Sequence, residues 1–259
     1  MTRRPSGEHG AGRRAGLGGW LRRRTLLAAA WAADYAYVAR WQIQGFWFRL
    51  DPAAYLHPEE GMELRQPVLL LPGVYETWQF LRPLAEFLSA RGHPVHTVRT
   101  LGYNRGSVPD MARRVEEYLA AQDLSQVAIV AHSKGGLIGK QVMLGEQAHR
   151  VSRMVAVNTP FSGSPYASLF LVPSIRAFSP RDRRLRTLMA SLDVNARITS
   201  VYASFDPHIP GGSGLDGARN IVLDAMGHFR PVADPELHGI VAQELDRAGS
   251  PPGPAGSDS

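Results

Sequence analysis

The sequence predicts an α/β fold in which a mostly parallel central sheet is covered by helices on both faces. Short apolar runs rich in Val, Ile and Leu alternate along the chain with longer segments of helical periodicity. The runs are apolar at consecutive positions, which is typical of strands buried on both faces of a parallel sheet. At 259 residues the chain is long enough for one large domain with a well-buried core.

Six segments are predicted to be strands of this sheet. They are residues 68–71, 95–98, 127–130, 154–157, 198–203 and 220–223. Four segments are predicted to be the covering helices, and they are residues 77–91, 110–121, 135–144 and 235–247. Asp110 is expected to cap the second of these helices. The α/β domain should therefore span residues 51–248, with a linker at 51–66 before the first strand.

The regular alternation is interrupted between residues 161 and 197. This segment combines an apolar patch with a basic run (Tyr166, Leu169, Phe170, Leu171, Val172; Arg181, Arg183, Arg184, Arg186). An insertion at this point would lie above the carboxyl ends of the strands, where α/β proteins bind ligands. We therefore expect a small cap over a binding site. A solvated pair of surface helices is the alternative.

The basic residues that give the chain its net charge of +6 are concentrated at its N-terminus. Residues 1–24 hold seven arginines and one acidic residue, whereas the remainder has 22 basic and 22 acidic residues. We therefore expect no nucleic-acid partner for the domain, because a basic tail contacts polyanions or anionic lipid only non-specifically. Residues 1–24 and the Pro/Gly/Ser-rich residues 249–259 are predicted to be disordered.

Residues 25–50 are predicted to form an amphipathic helix rich in aromatic residues. One face carries apolar residues at helical spacing (Leu27, Trp31, Tyr35, Val38, Trp41). Asp34 and Arg40 argue against a membrane span, and Asp34 also interrupts the apolar core that a secretion signal needs. Peripheral membrane contact through residues 20–48 and packing on the α/β domain both remain open. We expect a cytoplasmic protein, either free or membrane-associated, rather than a secreted one.

The strand at 127–130 ends in a turn that presents one serine. The turn reads Ala131-His132-Ser133-Lys134-Gly135 and a helical segment follows it. A small-x-Ser-x-Gly turn between strand and helix pushes the serine out of the backbone, with small residues around it because larger ones do not fit. Ser133 is therefore the candidate nucleophile. The chain has no cysteine, which excludes a Cys nucleophile, disulfides and Cys-ligated metals.

A serine hydroxyl needs a base to take its proton, and that base needs an acid to fix its tautomer. His228 is the candidate base, because it follows the strand at 220–223 through Gly227. Asp206 is the candidate acid, because it lies just beyond the end of the preceding strand. Asp224 and Asp193 are weaker alternatives for the acid. The order Ser, Asp, His along the chain is typical of one class of hydrolytic α/β folds.

The candidate nucleophile also needs two backbone N–H groups to hold the oxyanion that forms on the substrate. The amide of Lys134, directly after the nucleophile, is one candidate. The amide of Val74 is the other, because Gly73 lets the backbone after the first strand approach closely. The sequence has no phosphate-cradling loop and no cluster of metal ligands at helical spacing, so no cofactor and no metal are expected.

These motifs together resemble the α/β-hydrolase superfamily, and within it the lipase-like serine esterases. The resemblance spans roughly residues 66–248 and rests on five stretches: Leu71 to Val74, Ala131 to Gly136, Asn158 to Ser164, Asp206 to Pro210 and Gly227 to Phe229. It implies Ser133 as nucleophile, Asp206 as acid and His228 as base. Ala131 replaces the first glycine of the turn, as in many lipases with an Ala-His-Ser-x-Gly turn. The pair Pro72-Gly73 replaces the His-Gly of many lipases and keeps the oxyanion amide.

The expected activity is the hydrolysis of carboxylic esters with apolar acyl groups, including lipids, through an acyl-enzyme. Transfer of the acyl group to an alcohol would use the same residues, so an acyltransferase is an alternative. A non-catalytic, membrane-associated binding protein with a retained hydrolase fold is another. The presence of all three groups at strand ends favours an enzyme, because a fold freed from catalysis need not keep them.

Overall fold

The computed structural model describes residues 11–47, 51–169, 173–176 and 178–247. The helices are α1 (Ala11–Trp47), α2 (Arg82–Ser89), α3 (Val108–Ala121), α4 (Lys134–Met143), α5 (Pro173–Arg176), α6 (Arg183–Ala190) and α7 (Pro235–Asp246). The strands are β1 (Val68–Leu71), β2 (Val95–Thr97), β3 (Val127–His132), β4 (Val151–Val157), β5 (Ile198–Phe205) and β6 (Arg219–Met226).

The six strands form one sheet in the order β2-β1-β3-β4-β5-β6, and every neighbouring pair is parallel. The predicted α/β class with a parallel central sheet is therefore confirmed. The chain runs from β1 outwards to β2 and then returns to the other side of β1 to form β3. The strand order thus reverses between β1 and β3, and the carboxyl ends of strands at such a point are where open α/β sheets bind ligands.

Alternate residues of the central strands feed two separate cores, because successive side chains of a strand point to opposite faces. Leu69 and Leu71 of β1 pack in the core that contains α3 and α4. Val68 and Leu70 pack in the core that contains α2 and α7. All residues of β1 and β3 are buried, which explains why these strands are apolar at consecutive positions in the sequence.

Two helices start elsewhere than predicted. The segment predicted as one helix over 77–91 is a 3₁₀ turn, Trp78–Leu81, followed by α2, which has a proline in its first turn. A proline there donates no N–H to continue a preceding helix. Helix α3 starts at Val108 rather than Asp110, because the side chain of Ser107 accepts the N–H of Asp110 and is the actual cap.

Helix α1 begins at Ala11, so residues 11–24 are helical where a disordered tail was predicted. The Ala, Leu and Arg residues in this stretch are strong helix formers. Predictions for residues 1–10, 48–50 and 248–259 lie outside the described residues. Among the helices that are described, none combines the length and the apolar character that a membrane crossing requires.

The face of α1 that packs on the domain coincides only in part with the predicted one, with which it shares Trp41 and the half-buried Val38. Ala30, Asp34 and Trp41 are buried, whereas Trp31 and Tyr35 are exposed. Asp34, which interrupts the apolar pattern in the sequence, therefore lies in the middle of the buried face. Membrane contact through residues 20–48 stays a prediction, and Leu26 and Ile43 are further apolar residues that α1 exposes.

The insertion at 161–197 connects β4 to β5 and contains a 3₁₀ turn, Pro165–Leu169, followed by α5 and α6. Ala167, Phe178, Leu185 and Leu188 are buried in the core on the α3 and α4 side of the sheet. The segment is therefore anchored on the domain by apolar side chains. The predicted apolar residues Phe170 to Val172 lie outside the described residues.

A glycine at the contact between α4 and β1 allows a test of their close packing, and a glycine in α7 serves as its control. A Cβ added at Gly135 would lie 2.1 Å from the carbonyl oxygen of Leu71, whereas a Cβ at Gly239 in α7 would meet nothing within 4 Å. We expect Gly135→Ala to lower the free energy of unfolding by at least about 1–3 kcal/mol. Gly239→Ala should raise it by about 0.4–1 kcal/mol. Chemical denaturation measures both, and equal effects would contradict the close approach.

Candidate active site

Ser133 occupies the turn between β3 and α4 with φ 52° and ψ −121°. A positive φ at a residue with a side chain costs about 1–3 kcal/mol and persists only where the surroundings enforce it. Here the N–H of Ser133 donates to the carbonyl oxygen of Val157 at 2.8 Å. The absence of a side chain at Gly135 lets α4 start directly against β1. These contacts hold the turn in the form that the sequence motif predicts.

The structure brings Ser133, His228 and Asp206 together. His228 Nε2 lies 2.9 Å from Ser133 Oγ, and His228 Nδ1 lies 2.7 Å from Asp206 Oδ2. The other oxygen of Asp206 accepts the N–H groups of His208 and Ile209 at 2.8 and 3.1 Å. Burial raises the pKa of Asp206, but the charge of His228 and these hydrogen bonds outweigh burial and hold that pKa below its ordinary value.

An ionised Asp206 can only accept hydrogen bonds, so the proton of a neutral His228 lies on Nδ1. The lone pair on Nε2 then faces the hydroxyl of Ser133, which donates to it. The two weaker candidates for the acid, Asp224 and Asp193, are both exposed. Of the three aspartates that the sequence offered, Asp206 is therefore the one that contacts the histidine.

The backbone of His228 is held from both sides. Its N–H donates to Asp34 Oδ2 of α1 at 2.8 Å. Its carbonyl oxygen accepts from Asn158 Nδ2 at 2.8 Å and lies 2.9 Å from His132 Nε2. Asp34, Asn158 and His132 are fully buried. The position of the imidazole is thus set by residues from α1, β3 and the end of β4.

Asp34 accepts two further N–H groups from the same loop. Its Oδ1 accepts from Phe229 at 2.8 Å and from Arg230 at 2.9 Å. The loop can approach this closely because Gly227 has no side chain and adopts φ 115°; a Cβ there would lie 2.6 Å from Asp34 Oδ1. The buried carboxylate of α1 is therefore fully used in holding the loop that carries His228.

His132 links this loop to the turn after β1. Its Nδ1 lies 2.9 Å from Glu76 Oε2, which also accepts the N–H of Gly73 at 2.7 Å. Burial lowers the pKa of His132, but the charge of Glu76 and the two acceptors facing its ring raise that pKa above its ordinary value. Both ring nitrogens face acceptors, Glu76 Oε2 and the carbonyl oxygen of His228, and this arrangement favours the imidazolium form of His132.

Sequence reasoning missed Asp34, Glu76, His132 and Asn158. One signal was present, because a carboxylate inside an aromatic-rich amphipathic segment is costly to bury without a partner. The sequence shows this carboxylate, but its partners lie almost 200 residues away and follow only from the packing of α1 on the domain. The roles of Glu76, His132 and Asn158 likewise depend on contacts distant in sequence.

The two candidate oxyanion donors are available. Within the described residues, the backbone N–H groups of Val74 and Lys134 have no protein acceptor. Lys134 is the first residue of α4, where the helix dipole is positive. Val74 lines the same cavity as Ser133 and His228. The side chain of Lys134 points elsewhere, because its Nζ donates to the carbonyl oxygens of Asn104 and Gly106.

A mainly apolar cavity of about 290 Å³ opens at Ser133 and His228. Its walls come from the segment after β1, from the insertion, from α1 and from the loop that carries His228 (Val74, Tyr75, Phe80; Tyr166, Ala167, Phe178; Val38; Phe229). The insertion therefore lies over the candidate nucleophile, in the place expected for a cap. Val38 shows that α1 also lines the cavity, which the packing interpretation of that helix anticipated.

The protection of the His228 backbone amide from hydrogen exchange should depend on the carboxylate of Asp34. In Asp34→Asn the Oδ1 contacts can persist, but the NH₂ group would face the N–H of His228 and could not accept it. We expect a loss of about 1–3 kcal/mol in unfolding free energy and faster hydrogen exchange at the His228 amide. The exposed Asp224→Asn should stay within about 0.5 kcal/mol of wild type. Unchanged exchange at His228 in Asp34→Asn would contradict the contact.

His208 should make folding less favourable in mild acid. Burial and repulsion from the charge of His228 lower the pKa of His208 to about 4, against the attraction of Asp206 and Asp34. The unfolded chain binds this proton near pH 6.5, so between about 4 and 6.5 it holds the extra proton and stability falls as pH falls. His208→Gln should lose less unfolding free energy between pH 7 and 5 than wild type. Equal losses would rule out this contribution.

Similarity to known proteins agrees with this architecture. Residues 68–252 match the sequence profile of the alpha/beta hydrolase family. A Bacillus licheniformis lipase in its mature form superimposes with a TM-score of 0.58 at 15% identity, covering 73% of this chain and 94% of the lipase.

Two further solved structures are similar. A meta-cleavage product hydrolase from Pseudomonas fluorescens superimposes with a TM-score of 0.55 at 18% identity, covering 73% of this chain and 93% of the hydrolase. A Rhodococcus esterase superimposes with a TM-score of 0.52 at 17% identity, covering 71% of this chain and 92% of the esterase. At such identities these structures show a shared fold, whereas the profile match covers well over half of the sequence. The chain belongs to the alpha/beta hydrolase family.

Proposed function

We propose that this protein is a serine hydrolase that cleaves carboxylic esters with apolar acyl groups. The observation that carries the proposal is the line of contacts from Asp206 through His228 to Ser133, at 2.7 and 2.9 Å. Acyl transfer requires a serine held beside an oriented histidine and two backbone N–H donors, and the amides of Val74 and Lys134 have no acceptor in the part of the chain that the structure describes. The lipase and esterase among the structurally similar proteins support the same reaction class.

The proposed reaction starts with His228 Nε2 taking the hydroxyl proton of Ser133 as Oγ attacks the ester carbonyl. The carbonyl oxygen becomes an oxyanion and accepts hydrogen bonds from the amides of Val74 and Lys134. When the intermediate collapses, the C–O bond to the alcohol breaks and His228 returns its proton to the leaving oxygen. Water, deprotonated by His228, then attacks the acyl-enzyme and releases the acid.

Asp206 and Asp34 would have different roles in this reaction. Asp206 faces the ring and stabilises the imidazolium that forms during each proton transfer. Asp34 contacts only the backbone of the loop, so it is a positioning residue and takes no part in proton transfer. A displacement of about 1 Å in a catalytic group can cost about 100-fold in rate, which is why the support of His228 matters.

The apolar cavity supports an apolar substrate. Most side chains around Ser133 are aromatic or aliphatic, so they favour an acyl chain or a similarly apolar group over a sugar or a peptide. Its volume of about 290 Å³ lies at the lower end of the range for small-molecule sites. This favours acyl groups of short to medium length.

Ser133→Ala should reduce the kcat/KM for p-nitrophenyl butyrate by about 10³-fold or more, because the nucleophile is lost while the apolar cavity remains. Ser125→Ala is the matched control, since Ser125 is exposed and distant from the cavity, and its kcat/KM should equal that of wild type. Steady-state kinetics with purified protein measures both. Undiminished turnover by Ser133→Ala would contradict the proposed nucleophile.

A further inference from the structure

A second cavity, of about 730 Å³, lies on the other side of the nucleophile turn and is rich in arginine. Five arginines line it, from three separate parts of the chain: Arg105 before α3, Arg176 in α5, and Arg181, Arg183 and Arg184 around the start of α6. We call it the arginine cavity. Leu137, Leu185 and Leu188 form apolar parts of its wall, and Lys134 also lines it.

The acidic residues near the arginine cavity balance its positive charge only in part, and one of them, Asp110 in the first turn of α3, interacts electrostatically with Arg184. Within the described residues, none of its five arginines forms a salt bridge. Asp182 is an acidic residue in its wall, and its carboxylate already accepts the N–H groups of Arg184 and Leu185. Beyond residue 24 the sequence has equal numbers of basic and acidic residues. A local excess of this size is therefore a property of the cavity rather than of the whole domain.

The start of α3 adds to the same potential. Ser107, Val108 and Pro109 line the arginine cavity, and α3 is a helix of 14 residues with its positive end there. Arginine pairs with phosphate through two parallel hydrogen bonds, which makes it well suited to bind that group. The cavity has both arginines and leucines in its wall, so it suits an amphiphile. The charged group of such a molecule would contact the arginines and an apolar part would contact the leucines.

The arginine cavity adjoins the candidate active site. Lys134, in its wall, directly follows Ser133. Ser174 also lines it, and the Ser174 hydroxyl lies 3.2 Å from the hydroxyl of Tyr75, which lines the apolar cavity. Phe178 lines the apolar cavity and Ser179 lines the arginine cavity. The two cavities are therefore adjacent.

We propose that the arginine cavity binds a phosphate group of the substrate, so that the preferred substrate is an apolar ester that also carries a phosphate. This inference rests on the proposed ester hydrolysis and names its substrate class. The ester carbonyl lies at Ser133, an apolar part fills the smaller cavity, and the phosphate lies among the arginines without taking part in the reaction.

This inference can be tested with two short lipids, one with a phosphate group and one without. Dihexanoyl phosphatidate carries it and dihexanoylglycerol lacks it. We expect wild type to release hexanoate from the phosphatidate with at least tenfold higher kcat/KM, at constant ionic strength because salt screens exposed charges. In the double variant Arg105→Gln with Arg184→Gln this preference should fall by about tenfold, because each hydrogen bond between an arginine and the phosphate contributes about three-fold to it.

Arg91→Gln is the matched control, because it removes an exposed arginine that packs on Phe87 in α2, away from both cavities. The preference for the phosphatidate should be the same as in wild type. No preference in wild type, or a preference that survives in the double variant, would overturn the inference. Binding of inorganic phosphate without any preference between the esters would indicate a site for the free anion and would overturn it as well.

A binding measurement separates this inference from the proposed reaction. Calorimetry with Ser133→Ala should show tighter binding of dihexanoyl phosphatidate than of dihexanoylglycerol, and at least tenfold weaker binding once the double arginine substitution is added. If wild type hydrolysed neither lipid nor p-nitrophenyl butyrate, the proposed function would fail, but this binding result would still decide the role of the arginine cavity. Equal affinities for the two lipids would contradict it.

Discussion

The arrangement of the site depends on how the loop after β6 is fixed. His228 must lie between an acid at the end of β5 and a serine at the end of β3, and a loop alone has no regular structure to hold it. The buried carboxylate of Asp34 accepts three consecutive backbone N–H groups of this loop. Asn158 and His132 bind the carbonyl oxygen of His228 from the opposite side. The contacts of the imidazole with Ser133 and Asp206 use the histidine position that these backbone contacts define.

The N-terminal helix is consequently part of the site. It supplies Asp34 to the His228 loop and Val38 to the wall of the apolar cavity. Removing α1 would take away the acceptor of three consecutive backbone N–H groups of this loop and with it the contacts that fix the loop. The family match covers residues 68–252, so α1 lies outside the matched region.

Much of the fold followed from local sequence. Apolar runs predict the strands, and a serine between strand and helix, with an aspartate and a histidine at later strand ends, predicts which side chains meet. Those rules are local or concern chain order, and the structure places all three groups together. The role of Asp34 could not be predicted in this way, because it depends on hydrogen bonds to backbone N–H groups about 195 residues later in the chain. The arginine cavity was also out of reach, since its walls converge from three segments only after folding.

The central claim is that Ser133, activated by His228, becomes acylated. Labelling with a fluorophosphonate, followed by peptide mass spectrometry, tests it most directly. We expect a single covalent adduct on the Ser133 hydroxyl in wild type and little or none in His228→Ala, because the hydroxyl is then not deprotonated. An adduct on another residue, or none in the folded wild-type protein, would contradict the account.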